Sequence, residues 1–370
     1  MRVLVCGGGV IGTSVAYFLS CRGVEVTVIE RTGVACAASG KSGGFLALDW
    51  CDGGPLETLA RRSFALHASL AQEIDDTWGY RRLTTYSGVA GARAAGRHGR
   101  NARDLGWLSS DVTIDRRLGS TETTAQVHPC AFTAAMMRAA QARGAELRIG
   151  QVTGLMREAG SDQIAGVEVG SERIEGDAVV VAMGPWSILA GQWLPLAGVY
   201  GLKGHSLVFQ TGAQISPDAL FLEYREAGGA SLAPEVFPRD DGTTYVCGLS
   251  GESPLPVDPA DVGPDPDALD RLRHMCARLS PILAEAPVLA GQACYRPVTE
   301  DGLPLIGPVA GVQGAYVATG HSVWGILNAP ATGEAMAELI VDGAARTVDL
   351  SPFDPARLQP FDPARLRPAL

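Results

Sequence analysis

The sequence predicts an α/β protein in which a discontinuous, Rossmann-like domain is interrupted by β-rich insertions. Two observations predict it. A glycine-rich β-α-β pattern occupies the first thirty residues, and apolar strand and helix patterns return in the middle and near the end of the chain. The chain has 370 residues, above the ~250–300 at which single hydrophobic cores stop growing. We therefore expect two domains.

The first unit begins with an apolar strand at Arg2–Cys6 and ends with a second strand, Val24–Ile29, followed by Glu30. A G-x-G-x-x-G turn and a helical pattern lie between the two strands, with the glycines at Gly7, Gly9 and Gly12. These glycines permit a tight turn, close approach of a pyrophosphate, and close packing of helix on strand. The acid can accept hydrogen bonds from a ribose diol. The unit predicts a dinucleotide site and does not by itself separate NAD from FAD.

The rest of the chain supplies further predicted elements. Helices are predicted at Ala131–Ala142, Asp267–Leu279 and Ala331–Val341, and strands at Ala145–Ile149, Val152–Leu155, Ala178–Val181, Ser206–Phe209, Ala219–Tyr224, Pro234–Pro238, Thr244–Cys247 and Ala315–Ala318. Residues 82–127 read as polar and irregular, and residues 254–266 as a Pro/Asp-rich connector. A duplicated Pro-Phe-Asp-Pro-Ala-Arg-Leu segment predicts a surface tail over residues 346–370.

The net charge, the cysteine spacing and the apolar runs of the chain exclude several kinds of binding partner. The formal net charge is −10 and the pI about 5.1, which argues against nucleic acid or an anionic membrane surface as the main partner. The eight cysteines are scattered, without a metal-binding spacing. We identify neither an N-terminal targeting signal nor an apolar run of ~18–20 residues. We therefore expect a reduced, cytoplasmic protein with no metal and no membrane span.

Five further segments carry a resemblance to a known family. They are residues 38–47 (ASGKSGGFLA), 126–129 (QVHP), 182–187 (AMGPWS), 296–304 (RPVTEDGLP) and 320–327 (GHSVWGIL). With the N-terminal turn, they make nearly the whole chain resemble the D-amino-acid-oxidase-like (DAO) family of FAD-dependent oxidoreductases, which includes glycine oxidase and sarcosine oxidase. Within it, the chain looks closest to a poorly assigned branch of oxidoreductases.

The resemblance implies a Rossmann-like FAD-binding domain and a substrate domain built on a large mixed β-sheet. On that basis we assign residues 1–80, 131–200 and 291–345 to the FAD domain, and residues 81–130 and 201–290 to the substrate domain. Matching the motifs position by position implies a set of FAD contacts. They are Gly7, Gly9, Val10, Ile11, Gly12, Glu30, Arg31, Ser39, Gly40, Lys41, Ser42, Gly43, Gly44, Val152, Gly184, Trp186, Gly320, His321, Ser322, Val323, Trp324, Gly325 and Ile326.

The same matching implies three catalytic candidates. Arg296 matches the arginine that holds the substrate carboxylate in glycine oxidase, a task that suits a guanidinium fork; an ion pair with Glu300 or Asp301 is the alternative. Lys203 either faces the active site or ends a solvated strand. His321 lies within the flavin-contacting turn, where it can bind substrate or orient the ring.

Cys294 aligns with the cysteine that carries flavin covalently in sarcosine oxidase. Most buried cysteines are inert small hydrophobes, so covalent and non-covalent FAD both stay open. The same alignment puts Arg296 on a tyrosine of that relative, so the two precedents do not fully agree.

The resemblance implies oxidation of the C–N bond of a small amino acid or N-substituted amino acid, by hydride transfer to flavin N5. Dioxygen or another acceptor would reoxidise the flavin. Two alternatives stay open: a flavin dehydrogenase acting on a 2-hydroxy acid or other small acid, and an FAD-binding regulatory protein. We make no prediction of oligomeric state.

Overall fold

The computed structural model describes residues 1–91, 104–226 and 228–362. The helices are α1 Val10–Cys21, α2 Glu57–Glu73, α3 Pro129–Gln141, α4 Pro266–Leu279, α5 Pro281–Glu285 and α6 Gly325–Asp342. The strands are β1 Arg2–Cys6, β2 Glu25–Glu30, β3 Phe45–Ala47, β4 Arg81–Arg82, β5 Thr85–Gly91, β6 Val112–Gly119, β7 Thr124–Gln126, β8 Glu146–Ile149, β9 Val152–Arg157, β10 Ile164–Val169, β11 Glu172–Glu175, β12 Ala178–Val181, β13 Tyr200–Gln210, β14 Ala219–Arg225, β15 Ser231–Leu232, β16 Glu235–Pro238, β17 Thr243–Glu252, β18 Val288–Val298, β19 Leu305–Pro308 and β20 Ala315–Thr319.

Six strands form the first sheet, in the order β19-β20-β12-β1-β2-β8. All neighbours are parallel except β19 and β20. The central strand β1 is apolar on both faces because both are covered, as in parallel sheets generally. Val3 and Val5 pack in the cluster beneath the helices, whereas Leu4 and Cys6 pack on the side of the β9-β10-β11 meander. This sheet places the glycine-rich turn at its carboxyl edge.

The second sheet runs β18-β13-β17-β16-β14-β5-β6, with β15 added beside β14. It is mixed, because β14 pairs with β5 in parallel while the other pairs are antiparallel. One face is covered by α4, which buries Leu272, Met275, Cys276 and Leu279 against it. Several residues of the opposite face line a cavity shared with the first sheet. The α/β class and the large mixed sheet are thus confirmed.

Two expectations about local structure were wrong. The stretch at 82–127 is not irregular where it is described, since it contains β5, β6 and β7; residues 92–103 lie outside the described residues. Strand β6 has three consecutive exposed positions, so its sequence shows little alternation and its strand form depends on pairing with β5. Helix α6 begins at Gly325, six residues before the predicted start at Ala331.

Helix α6 starts early because side chains of α2 bond to the backbone groups that lack a helical partner around Pro330. This proline lies inside the helix. Proline lacks the N–H that would bond to the carbonyl four residues earlier. From α2, the Nε2 of His67 lies 3.0 Å from the Ile326 carbonyl oxygen and 3.2 Å from that of Leu327. Because both partners are acceptors, Nε2 carries the proton. Ser63 Oγ accepts from the N–H of Ala331 at 3.0 Å, so α2 satisfies the groups that the proline leaves free.

The first copy of the duplicated tail segment packs on the protein, contrary to the expected surface tail. Phe353 is fully buried, and Arg357 donates to both carboxylate oxygens of Asp301, at 2.7 and 3.0 Å. Most of the second copy, from residue 363 onward, lies outside the described residues. In the described part of the chain, no helix has the length and apolarity needed to cross a bilayer.

Candidate active site

A cavity of about 420 Å³ lies where the carboxyl edge of the first sheet meets the open face of the second sheet. It is elongated: residues of the glycine turn and β2 line one end, and residues of β14, β16, β17 and β18 line the other. The turn before α6 and the loop before β3 also line it. We call the first part the cofactor end and the second the substrate end.

The glycine turn is built from backbone approaches that side chains would block. A Cβ on Gly12 would lie 2.0 Å from the Gly7 carbonyl oxygen, so helix α1 can pack against the turn only with glycine there. Gly7 has φ +116, a conformation that glycine adopts readily. The N–H of Val10 donates to Ser39 Oγ at 2.9 Å. Val10 and Ile11, in the first turn of α1, line the cavity, so the positive end of the helix dipole lies beside it.

Glu30 ends β2 beside this turn, and its carboxylate is held by backbone N–H groups. Oε2 accepts from Gly8 at 2.6 Å, and Oε1 accepts from Thr32 at 2.8 Å. The carboxylate lines the cavity in this fixed orientation. Arg31 also lines the cavity, but its guanidinium pairs with Asp258 at 2.8 Å and so ties this end to the connector.

Residues 39–44 form the loop between the cofactor and substrate ends. A Cβ on Gly43 would lie 2.3 Å from the Phe237 ring, so the loop lies flat on β16 only because that residue is glycine. Ser42 Oγ is buried and has no hydrogen-bond partner among the residues that the structure describes. Ser39, Ser42, Gly43 and Gly44 line the cavity, whereas Gly12, Gly40 and Lys41 are not among its lining residues.

The remaining predicted cofactor contacts gather along the same cavity. Its lining includes Gly7, Gly9, Val10, Ile11, Val152, Gly184, Trp186, Cys294 and all seven residues from Gly320 to Ile326. Trp186 donates its indole N–H to the Pro256 carbonyl oxygen at 2.8 Å. Two segments predicted from opposite ends of the sequence therefore meet in one cavity.

His321 lies in the turn before α6 and is 3% exposed. Burial lowers the pKa of its imidazole to about 3, so the ring is neutral at physiological pH. Its Nε2 lies 3.0 Å from Thr332 Oγ1, and its Nδ1 has no partner in the described part of the chain. A proton-transfer role at neutral pH does not fit such a ring, whereas a role as a neutral hydrogen-bonding group does.

Arg296 reaches the substrate end across a gap in the sheet. On β18 it lies next to β13, where Gly204 has no side chain; a Cβ there would lie 3.1 Å from Arg296 Nη2. The guanidinium therefore crosses β13 and donates to Ser250 Oγ on β17. Neither Glu300 nor Asp301 forms a salt bridge with it in the described part of the chain, since Asp301 pairs with Arg357. Arg296 is also one of the residues that line the cavity.

Two other candidates lie close to Arg296. Cys294 lines the cavity, and burial raises the pKa of its thiol, against the opposing charges of Arg296 and Lys41. Lys203 is not among the lining residues. Its Nζ pairs with Asp265 at 2.7 Å and is mostly buried there, so it neither faces the active site nor ends a solvated strand.

An aromatic wall completes the substrate end. It comprises Phe45, Trp50, Phe221, Phe237, Tyr245 and Trp324, all of which line the cavity. Neighbouring ring centroids are 4.9 to 6.4 Å apart. Glu235 and Phe237 lie two residues apart on β16, and the alternation of a strand puts such residues on one face. The other rings come from strands and loops far apart in sequence, which no local pattern links.

The described residues fit FAD. The glycine turn and the N-terminus of α1 suit a pyrophosphate, and Glu30 lies where a ribose diol is expected. Ser42 Oγ and His321 Nδ1 are buried, unpartnered polar atoms on residues that line the cavity. In the part of the chain that the structure describes, no group of three or more His, Cys, Asp or Glu side chains is arranged to hold a metal ion.

Comparisons with known proteins agree with this geometry. C1F5.03c of Schizosaccharomyces pombe, an oxidoreductase by its name, is 30% identical over 96% of this chain and 97% of its own length. Glycine oxidase of Pseudomonas aeruginosa is 28% identical over 96% and 98%. The crystal structure of glycine oxidase from Geobacillus kaustophilus has the same fold, with a TM-score of 0.80 at 24% identity over 96% of this chain and 99% of that one.

The family comparison covers most of the chain. The profile described as "DAO: FAD dependent oxidoreductase" matches residues 2–339, which include both sheets and the whole cavity. The chain therefore belongs to the DAO family of FAD-dependent oxidoreductases.

Proposed function

We propose that this enzyme oxidises the C–N bond of a small amino acid or N-substituted amino acid, and that dioxygen reoxidises its flavin. The observation that carries the proposal is that Arg296 lines the cavity and that its guanidinium has no carboxylate salt-bridge partner among the described residues. A planar fork of donors suits the two oxygens of a carboxylate. Glycine oxidase of Pseudomonas aeruginosa, a relative over nearly the whole chain, supports an amino-acid substrate.

The chain's own residues bind, orient and exclude water. Bound FAD supplies the acceptor for a hydride at its N5. Arg296 would hold the substrate carboxylate, which fixes the α-carbon relative to the turn at 320–326. The aromatic wall removes water from this end of the cavity, which strengthens the electrostatic contacts inside it. The N-terminus of α6 directs its positive dipole end at the cavity, where negative charge is stabilised.

The test is a substrate screen on the purified holoprotein, with matched amino acids, N-methyl amino acids and 2-hydroxy acids. Hydrogen peroxide formation with an amine would support the proposal. Flavin reduction by a 2-hydroxy acid without peroxide would replace it with the dehydrogenase alternative, which has the same use for Arg296. A protein that holds FAD and is reduced by none of these compounds would favour the regulatory alternative.

A further inference from the structure

An acidic and a basic side chain share the substrate end of the cavity without bonding to each other. Arg296 and Glu235 both line it, and the charge of Arg296 acts on the Glu235 carboxyl. Among the described residues, no salt bridge or hydrogen bond joins them. Arg296 crosses from β18 to Ser250 on β17, the strand that pairs directly with β16, where Glu235 lies. The two groups therefore come from strands of one sheet and line the same cavity.

Both groups retain most of their hydrogen-bonding capacity. Within the described residues, the one hydrogen bond that the Glu235 carboxylate accepts is from the weak S–H of Cys247 to Oε2, at 3.5 Å, although a carboxylate can accept about four hydrogen bonds. Arg296 uses one of its five N–H donors on a side chain. The other carboxylate of the cavity lining, Glu30, is held by backbone N–H groups at the cofactor end. Glu235 is thus the acidic group available at the substrate end.

Charged groups removed from water normally have a partner, because desolvation of an unpaired charge costs several kcal/mol. Burial raises the pKa of the Glu235 carboxyl, and the nearby Arg296 charge opposes that rise. A ligand that carries one positive and one negative charge would satisfy both side chains together. An amino acid is such a ligand, whereas a 2-hydroxy acid has no positive charge to offer Glu235.

We propose that Glu235 binds the ammonium group of the substrate and accepts a proton from it, while Arg296 holds the substrate carboxylate. In this step one N–H bond of the ammonium breaks, the proton bonds to a Glu235 carboxylate oxygen, and the electron pair stays on nitrogen. The neutral amine is the form that can be oxidised, because its lone pair stabilises the positive charge that develops as the α-hydrogen leaves with its electrons. The inference rests on the proposed function and makes the site selective for amines over hydroxy acids.

The surroundings of Glu235 suit a cation. Phe237 follows it by two residues on β16, and Phe221, to which Glu235 pairs across the strands, lies on β14. Both rings line the cavity, and an ammonium beside aromatic faces is attracted by them. The other titratable groups that act on Glu235 are Cys247 and Tyr245 from β17 and Arg296 from β18. Of these, Arg296 is the only cation.

The first test compares two ligands that differ only in the amine. They are 2-amino-2-methylpropanoate and 2-methylpropanoate; the former has no α-hydrogen and is not oxidised. Each is titrated into wild-type and Glu235→Gln holoprotein while the flavin spectrum reports binding. Glu235→Gln should lose roughly tenfold or more in affinity for the amine, and bind the plain acid at least as tightly. Glu223→Gln, an exposed position on β14, is the matched control.

A second test follows the proton. In Glu235→Gln, kcat/KM for an amino acid should depend on the small neutral fraction present in solution. It should therefore rise about tenfold per pH unit up to the pKa of the substrate amine. Wild-type enzyme should already be active well below that pH. FAD content and melting temperature of the variant establish that it is folded.

The results of these tests distinguish a wrong role for Glu235 from a wrong proposed function. If wild-type enzyme oxidises amino acids, and Glu235→Gln binds both ligands as the wild type does or loses both equally, the role of Glu235 is wrong and the proposed function stands. If wild-type holoprotein oxidises no amine and reacts with hydroxy acids instead, the proposed function itself has failed.

Discussion

The two ends of the cavity are built in different ways. At the cofactor end, the glycine turn and Glu30 lie within the first thirty residues, and Glu30 is held by backbone N–H groups. At the substrate end, Arg296, Glu235 and the aromatic wall come from separate strands and loops, and side chains define the surface. Cofactor binding should therefore be lost when an added side chain blocks a close backbone approach, and substrate binding should be lost when the chemistry of a side chain changes.

The largest effect is expected from a side chain at Gly12. Gly12→Val would put carbon atoms within about 2 Å of the Gly7 carbonyl oxygen, which forces α1 away from the turn. We expect loss of bound FAD, measured as the flavin absorbance per protein after purification. Gly263→Ala, where nothing lies within 4 Å of the added Cβ, should keep its full complement. Full FAD occupancy in Gly12→Val would contradict the backbone account of the cofactor end.

The second largest effect is expected from a substitution of Arg296, which should weaken catalysis without affecting the cofactor end. Arg296→Gln removes the charge that would hold a carboxylate, at a cost of about 3 kcal/mol, or roughly 100-fold in kcat/KM. FAD content should stay unchanged, because the cofactor end does not depend on this side chain. Arg271→Gln, which breaks the exposed pair with Glu226, should have normal kinetics. Equal loss of FAD and of activity in Arg296→Gln would show that the two ends are not separable.

The same contrast explains what the sequence could predict. The β-α-β unit is a local pattern, so its strands and glycine turn were found within a residue of their predicted bounds. The segment at 320–326 was placed in the cavity by resemblance, not by any local signal. The aromatic wall depends on which strands pair, since Phe221 on β14 and Phe237 on β16 meet only in the folded sheet. Strand order is set by long-range packing, which residue patterns alone did not reveal.

Lys203 shows why the contacts of a single side chain could not be predicted from the sequence. The predicted strand begins at Ser206, whereas β13 begins at Tyr200 and includes Lys203. The partner of Lys203, Asp265, lies 62 residues further along the chain, just before α4. The packing of α4 on the sheet brings the two together. Gly204 shows the reverse case: the absence of a side chain there lets Arg296 cross to β17, a role that is visible only once the register of β13 and β18 is known.

A smaller effect should appear in stability against acid. Burial lowers the pKa of His67 to about 4 from an ordinary value of 6.5, so the folded state keeps the ring neutral where the unfolded chain takes up a proton. The free energy of unfolding should therefore fall as the pH drops from 6.5 toward 4, with about 2–3 kcal/mol lost through His67 by pH 4.5. His321 adds to the same trend, because its pKa is about 3.

Urea unfolding at pH 7 and pH 4.5 checks this. His67→Gln keeps an N–H donor for the carbonyls freed by Pro330 and removes the titration, so the difference between the two pH values should shrink by about 2 kcal/mol. An unchanged difference would mean that His67 does not stay neutral in the folded state.

The smallest effect is expected at Cys294, which tests whether the substrate end also holds the cofactor. Burial raises the pKa of this thiol, and the thiolate is the nucleophile that a covalent link would require. We therefore expect acid precipitation to leave the flavin in the supernatant, and Cys294→Ala to keep wild-type FAD content with at most a few-fold change in kcat/KM. A yellow pellet from the wild type that is colourless in Cys294→Ala would show a covalent bond. In that case a side chain of β18, at the substrate end, would also hold the cofactor. Cofactor binding would then depend on side-chain chemistry at β18 as well as on the backbone of the glycine turn.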